Sequence, residues 1–187
     1  AEAKEGTKPE KMKARGWGAK LEAMKYQPLK DEEELKFDPI GWWVSEKMDG
    51  MWARWIDGEL WSKNKLLIQT TDAFKAKMPS DMILEGEWMR REAKFYVFDG
   101  YKTYQDATTK PWVDRWQHLQ ALAKKFKFPL LAHQEIKTKS QWNKMKITAE
   151  KTLEMEGYVL KHPDSVVAAR NELVEAIWKQ KRPRSPG

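Results

Sequence analysis

Trp42-Trp43-Val44-Ser45-Glu46-Lys47-Met48-Asp49-Gly50 is an apolar strand that runs into a lysine, an acid and a glycine. Directly after it, Met51–Ile56 and Leu60–Lys63 read as two strands around Asp57-Gly58. Asp-Gly accepts the positive φ angles of a two-residue hairpin turn, so a hairpin is expected here. A lysine at the mouth of a buried strand can serve as a nucleophile. Desolvation and neighbouring cations both disfavour its ammonium form, so some free amine exists near neutral pH.

Outward from this stretch, strands and helices alternate without a parallel βαβ rhythm. Met82–Met89 and Lys94–Phe98 read as paired strands, and Thr71–Met78 as a short helix. Apolar residues at 112, 113, 116, 119, 122, 123 and 126 predict a helix over Trp112–Phe126. Asp114, Arg115, Gln117, Lys124 and Lys125 are expected on its wet face. Leu130–Ile136 reads as a strand, and Ser140 as the N-cap of a helix running to about Met155. Glu156–Lys161 and Val174–Lys179 read as the last strands, Gly18–Tyr26 as a short helix, and Pro28–Pro39 as an acidic loop. Short hairpins mixed with separated helices indicate the α+β class.

The chain has 187 residues and no Cys, which excludes disulfides, thiolate metal sites and a cysteine nucleophile. His118, His133 and His162 lack zinc-ligand spacing. Neither G-x-G-x-x-G nor G-x-x-x-x-G-K-[ST] occurs, so these phosphate cradles are absent. No apolar run is long enough to span a bilayer, and no signal peptide is visible. The net charge of +7 and pI near 9.4 suit a polyanionic partner. Residues 1–20 form a basic segment expected to be flexible, 21–181 a folded domain, and 182–187 a linker start or tail.

Four further segments end a strand in chemistry. They are Leu84-Glu85-Gly86-Glu87-Trp88, Phe95-Tyr96-Val97-Phe98-Asp99-Gly100, Glu156-Gly157-Tyr158-Val159-Leu160-Lys161 and Ile177-Trp178-Lys179-Gln180-Lys181. Alternation puts Lys179 and Lys181 on one strand face. Taken alone, Phe95 and Phe98 also suit a core, Glu87 and Glu156 suit solvated strand ends, and Lys179 and Lys181 suit a basic tail. All five segments in this order resemble the covalent nucleotidyltransferase superfamily of ATP-dependent DNA ligases, RNA ligases and mRNA capping enzymes. The small ATP-dependent DNA ligases are the nearer likeness, through Trp43–Gly50 and Ser62-Lys63-Asn64.

The resemblance implies a nucleotidyltransferase (ATP-grasp-like) domain of antiparallel sheets flanked by helices. It implies that Lys47 attacks the α-phosphate of ATP to form a lysyl-AMP. Lys179 and Lys181 would contact that phosphate. Glu87 and Glu156 would hold the ribose and a divalent metal, Mg²⁺ or Mn²⁺. Phe98 would stack on adenine, and Glu46 would read the base through its backbone. Asp49 would orient the lysine or ribose beside Gly50, and Lys161 would lie near the phosphates. The implied substrate is nicked duplex DNA, with RNA as the alternative, sealed in DNA repair, replication or recombination. A monomer is expected, with no membrane partner. An RNA ligase, a capping guanylyltransferase and a catalytically weakened nucleic-acid-binding relative remain the other readings.

Two departures carry their own expectations. Ligases place a basic residue two positions after the motif glycine, where this chain has Trp52. Arg54, on the same strand face, is expected to substitute in nucleic-acid contact. Lys63 after Ser62 keeps phosphate attraction without the planar fork of arginine. The family continues into an OB-fold after its last motif. The residues after Lys181 are too few for that barrel, so the OB-fold is expected from elsewhere, including a protein partner.

Overall fold

Every backbone N–H and C=O of an apolar strand needs a partner, and the strands among the described residues find theirs in two five-stranded sheets. The computed structural model describes residues 27–29, 37–151, 157–167 and 175–179, with 27–29, 149–151 and 175–179 by backbone. The expected helix over Gly18–Tyr26, the basic segment 1–20 and the tail 182–187 lie outside the described residues. The strands are β1 (Gln27–Leu29), β2 (Trp43–Glu46), β3 (Met51–Ile56), β4 (Glu59–Ser62), β5 (Leu67–Ile68), β6 (Ile83–Met89), β7 (Lys94–Tyr101), β8 (His133–Glu135), β9 (Gly157–Lys161) and β10 (Glu175–Lys179). The helices are α1 (Asp72–Ala76), α2 (Tyr104–Thr109), α3 (Trp112–Phe126) and α4 (Lys139–Lys151).

The described residues fall into two compact units. The first is built on Gly50–Leu131. Its sheet has the order β5-β4-β3-β6-β7, antiparallel throughout. The β3–β4 turn is the expected Asp-Gly hairpin, with φ of 53° at Asp57 and 76° at Gly58. One sheet face carries Ala53, Trp55, Leu84, Trp88, Phe95 and Val97, all buried. Phe74 of α1 meets Trp55 and Trp88 edge-on at 6.0 and 5.8 Å between ring centroids. Such aromatic pairs contribute about 0.5–1.5 kcal/mol beyond their burial. Thr71 caps α1 by accepting from the Phe74 N–H at 3.0 Å.

Helix α3 has the expected bounds. Its C-cap, Lys127, adopts a left-handed φ of 67° and donates to the Ala123 carbonyl at 2.8 Å, and Pro129 then stops continuation. Its buried positions are Trp112, Arg115, Trp116 and Leu119. Arg115 was expected in solvent, and the structure corrects this. It sits in the i, i+3, i+4, i+7 stripe of the helix because its charge is neutralised internally.

The second unit comprises the described residues among Met24–Asp49, Ala132–Ser165 and Ala169–Gly187. Its sheet has the order β1-β10-β9-β2-β8. All pairs are antiparallel except β1 with β10. Strand β1 overlaps the start of the expected loop. Its three residues carry a proline and too little alternation to register as a strand. Val44, Ile136, Trp142, Tyr158 and Leu160 form the buried cluster beneath α4. The cap of α4 is Thr138 rather than Ser140: its Oγ1 accepts from the Gln141 N–H at 3.1 Å. Gln141 returns the bond, accepting from the Lys137 N–H at 2.8 Å.

Candidate functional site

Along the chain, Lys47 and Asp49 belong to the second unit and Gly50 to the first. In the second unit, β2 and β9 pair Glu46 with Tyr158. The ladder continues one residue further, where the Lys47 N–H donates to the Gly157 carbonyl at 2.9 Å. Across β9, the partner of Gly157 is Lys179 of β10. Lys47, Gly157 and Lys179 therefore form one row across three strands. Direct cross-strand partners share a sheet face, and two strand spacings put the lysine Cα atoms about 10 Å apart. The residue between them is a glycine, so no side chain stands in the row's centre. Lys47 is half-buried.

Lys161 occupies the opposite end of β9, paired with Trp43 and Glu175. It lies four positions from Gly157, about 13 Å along the strand. Its side chain is 2 % exposed. Glu156 and Lys181 lie outside the described residues, and Lys179 is described by backbone. The Glu46 side chain is exposed. Burial, with the Glu46 charge adding to it, raises the Tyr158 phenol above its ordinary range. A groove of about 600 Å³ opens beside Glu46, lined also by Ser45, Gln134, Lys144 and Tyr158.

In the first unit, Trp52, Glu87 and Tyr96 form a row across β3, β6 and β7. The Gly50 N–H donates to Glu87 Oε1 at 2.9 Å. A Cβ on Gly50 would meet the Trp88 carbonyl oxygen at 2.9 Å and Glu87 Cγ at 3.0 Å. The motif glycine is needed because β6 passes too close for a side chain.

The next row is a buried charge cluster that sequence reasoning did not foresee. Arg54, Glu85 and Asp99 are cross-strand partners, and each is at most 2 % exposed. Arg54 Nη2 donates to Glu85 Oε2 at 3.2 Å, and its guanidinium lies 4.9 Å from the Trp52 ring centroid. The Tyr101 hydroxyl also donates to Glu85. Burial, then the Glu85 charge, pushes that phenol well above its ordinary range. Arg115 reaches from α3 to Asp99, donating from Nε to Oδ1 at 2.8 Å and from Nη2 to Oδ2 at 3.1 Å. Arg54 is thus an interior residue bonded to Glu85, not a surface cation open to phosphate. Lys63 is exposed in the β4–β5 turn, where the Ser62 carbonyl accepts from the Lys65 N–H at 2.9 Å. The signal for the cluster was present: an arginine interrupts the apolar stripe of α3, and an acid closes an aromatic strand.

Between the rows the register slips. Glu85 pairs with Asp99, but Gly86 pairs with Val97, so Phe98 is the extra residue of a β-bulge. A bulge re-aims a side chain and interrupts pairing. Phe98 is half-buried. The bulged Phe98, the Glu87 carboxylate bonded to the Gly50 N–H and the close-approach glycine itself all belong to the first unit. Among the described residues, no three His, Cys, Asp or Glu gather as metal ligands. Mg²⁺ needs fewer, since it keeps waters and phosphate oxygens.

A family model described as RNA ligase matches residues 40–181. The chain belongs to the RNA ligase family. Solved ligase structures similar to it in fold include the following. A Lig E DNA ligase aligns with a TM-score of 0.64 at 20% identity, over 84% of this chain and 69% of the other. Chlorella virus DNA ligase-adenylate gives 0.64 at 15% identity, over 87% and 68%. The ligase domain of M. tuberculosis LigD gives 0.59 at 16% identity, over 85% and 59%. This chain thus spans roughly three fifths to two thirds of these structures' length. A comparison with curated proteins finds no match. The fold is α+β, as the pattern of hairpins and helices expected, and is that of the nucleotidyltransferase domain, as the resemblance implied.

Proposed function

We propose that this chain carries the adenylation chemistry of an ATP-dependent polynucleotide ligase acting on nicked duplex DNA. Lys47 Nζ, as the free amine, attacks the α-phosphorus of ATP. A P–N bond forms, the bond to pyrophosphate breaks, and the amine gives up a proton. The AMP then passes to a 5′-phosphate, and the adjacent 3′-hydroxyl displaces it to close the nick. The observation that supports this most is the backbone register that brings Lys47, Gly157 and Lys179 into one row across three strands. A second lysine in that row would attract the phosphate.

Glu87, tethered to Gly50, would hold the ribose or a metal, with Glu156 as a second carboxylate. Mg²⁺ or Mn²⁺, when bound, supplies Lewis-acid polarisation of phosphate oxygens. Phe98 would stack on adenine, Glu46 and Asp49 would orient base and lysine, and Lys181 and Lys63 would add positive charge for phosphates. An OB-fold, in cis or from a partner, would clamp the nucleic acid.

The family match, described as RNA ligase, favours RNA ends as the second reading. Intact-mass spectrometry after incubation with ATP and Mg²⁺ tests the chemistry. A gain of one AMP is expected, and Lys47→Arg should abolish it, because guanidinium does not deprotonate in proteins. Adduct at wild-type yield in that variant would refute the nucleophile. GTP in place of ATP separates guanylyl transfer, and nicks with DNA or RNA on each side separate the two ligases.

A further inference from the structure

We infer that Arg115 is a positioning residue for the nucleotide site, acting on Phe98 through Asp99. This rests on the adenylation reading above. Asp99 directly follows the bulged Phe98. Its carboxylate accepts two Arg115 bonds and a third from the Gly100 N–H at 2.8 Å. Arg115 is held in turn. Nη1 donates to the Lys110 carbonyl at 2.8 Å, and the guanidinium lies 5.6 Å from the ring centroid of fully buried Trp112.

Both partners are 2 % exposed. A buried ion pair is a poor way to gain stability, because desolvation offsets most of the attraction and an apolar pair would pack as well. A forked, two-bond contact does fix direction. Here it fixes the carboxylate next to an extra strand residue, and so the backbone angles that set where Phe98 points. The register explains why fixing is needed. Slipping the extra residue along β7 would turn Phe98 to the other sheet face and bring another residue opposite Glu85. A 15-residue helix thus serves as the rigid mount for one aromatic ring.

The test measures the ATP concentration that half-saturates AMP-adduct formation, and the maximal rate, well below the melting temperature. Arg115→Lys keeps the charge and loses the fork. The expected result is a rise of about tenfold in half-saturating ATP, with the maximal rate within about threefold and weaker preference for ATP over GTP. In a Phe98→Ala background, Arg115→Lys should add nothing further, since the ring it positions is gone. A purely structural role predicts the opposite: a lower melting temperature with unchanged half-saturation, or effects of the two substitutions that multiply. Either result overturns the inference. Should Arg115→Lys fail to fold, Asp99→Asn, which keeps shape and one acceptor, takes its place under the same criteria. A wild-type chain that neither gains AMP nor binds ATP would refute the adenylation reading itself. Adduct formation indifferent to Arg115 would refute the positioning alone.

Discussion

Arg54→Leu removes a cation from the interior of the first unit. In the native protein the guanidinium is 0 % exposed, bonds Glu85 at 3.2 Å and lies 4.9 Å from the Trp52 ring centroid. Without it, Glu85 stays buried with the Tyr101 hydroxyl as donor and Asp99 opposite. Removing one partner of a buried pair costs about 3–5 kcal/mol. For a chain of this size each kcal/mol lowers Tm by roughly 2–4 °C, so a fall of about 6–20 °C is expected. Total stability is only about 5–15 kcal/mol, so the variant should be marginal at 37 °C. Thermal melts by circular dichroism on wild type, Arg54→Leu, Glu85→Leu and the double variant give the cycle. The double variant should lose less than the sum of the singles, because no uncompensated charge remains. Adding Tyr101→Phe should recover more, by removing the hydroxyl left without its acceptor. Arg54→Leu melting within about 2 °C of wild type, or strictly additive singles, would refute the claim that these charges compensate one another in the interior.

Gly86→Ala should destabilise sharply. Its Cβ would press on the Tyr96 carbonyl and come within 2.8 Å of Phe95 Cε1. Strand β7 must move, for about 1–3 kcal/mol or more by urea titration, and an unchanged midpoint would contradict the packing. Tyr101 should govern an alkaline limb of stability. Its folded pKa is raised, so its contribution is complete below pH about 10 and is lost as pH rises through the folded value. Melts between pH about 8 and 11 should show a shallower decline in Tyr101→Phe, and an identical decline would exclude this group. Phe98→Ala should weaken ATP binding by about tenfold, the scale of one stacked base, while leaving Tm nearly intact. The reverse pattern would return Phe98 to the core.

Much of the first unit was legible as sequence. The Asp57-Gly58 turn and the bounds of the α3 helix were read correctly, because both signals are local: a turn that demands positive φ and a period of 3.6. The second hairpin strand was placed one residue late. Arg115 was misread because the same period puts a charge into the buried stripe only when a partner waits there. That partner, Asp99, lies 16 residues away on another element. Arg54 was misread for the same reason, through Glu85. Strand β1 was missed because its pairing comes from β10, almost the whole chain length away.

The order of the five motif segments, the lysine at a strand mouth and the lack of cysteine chemistry are properties of covalent sequence, and no fold is needed to state them. The row joining Lys47 to Lys179, the bulge at Phe98 and the interior charges come from ladder register. Register is decided where strands distant in the chain exchange hydrogen bonds, and a slip of one residue turns every side chain to the other face.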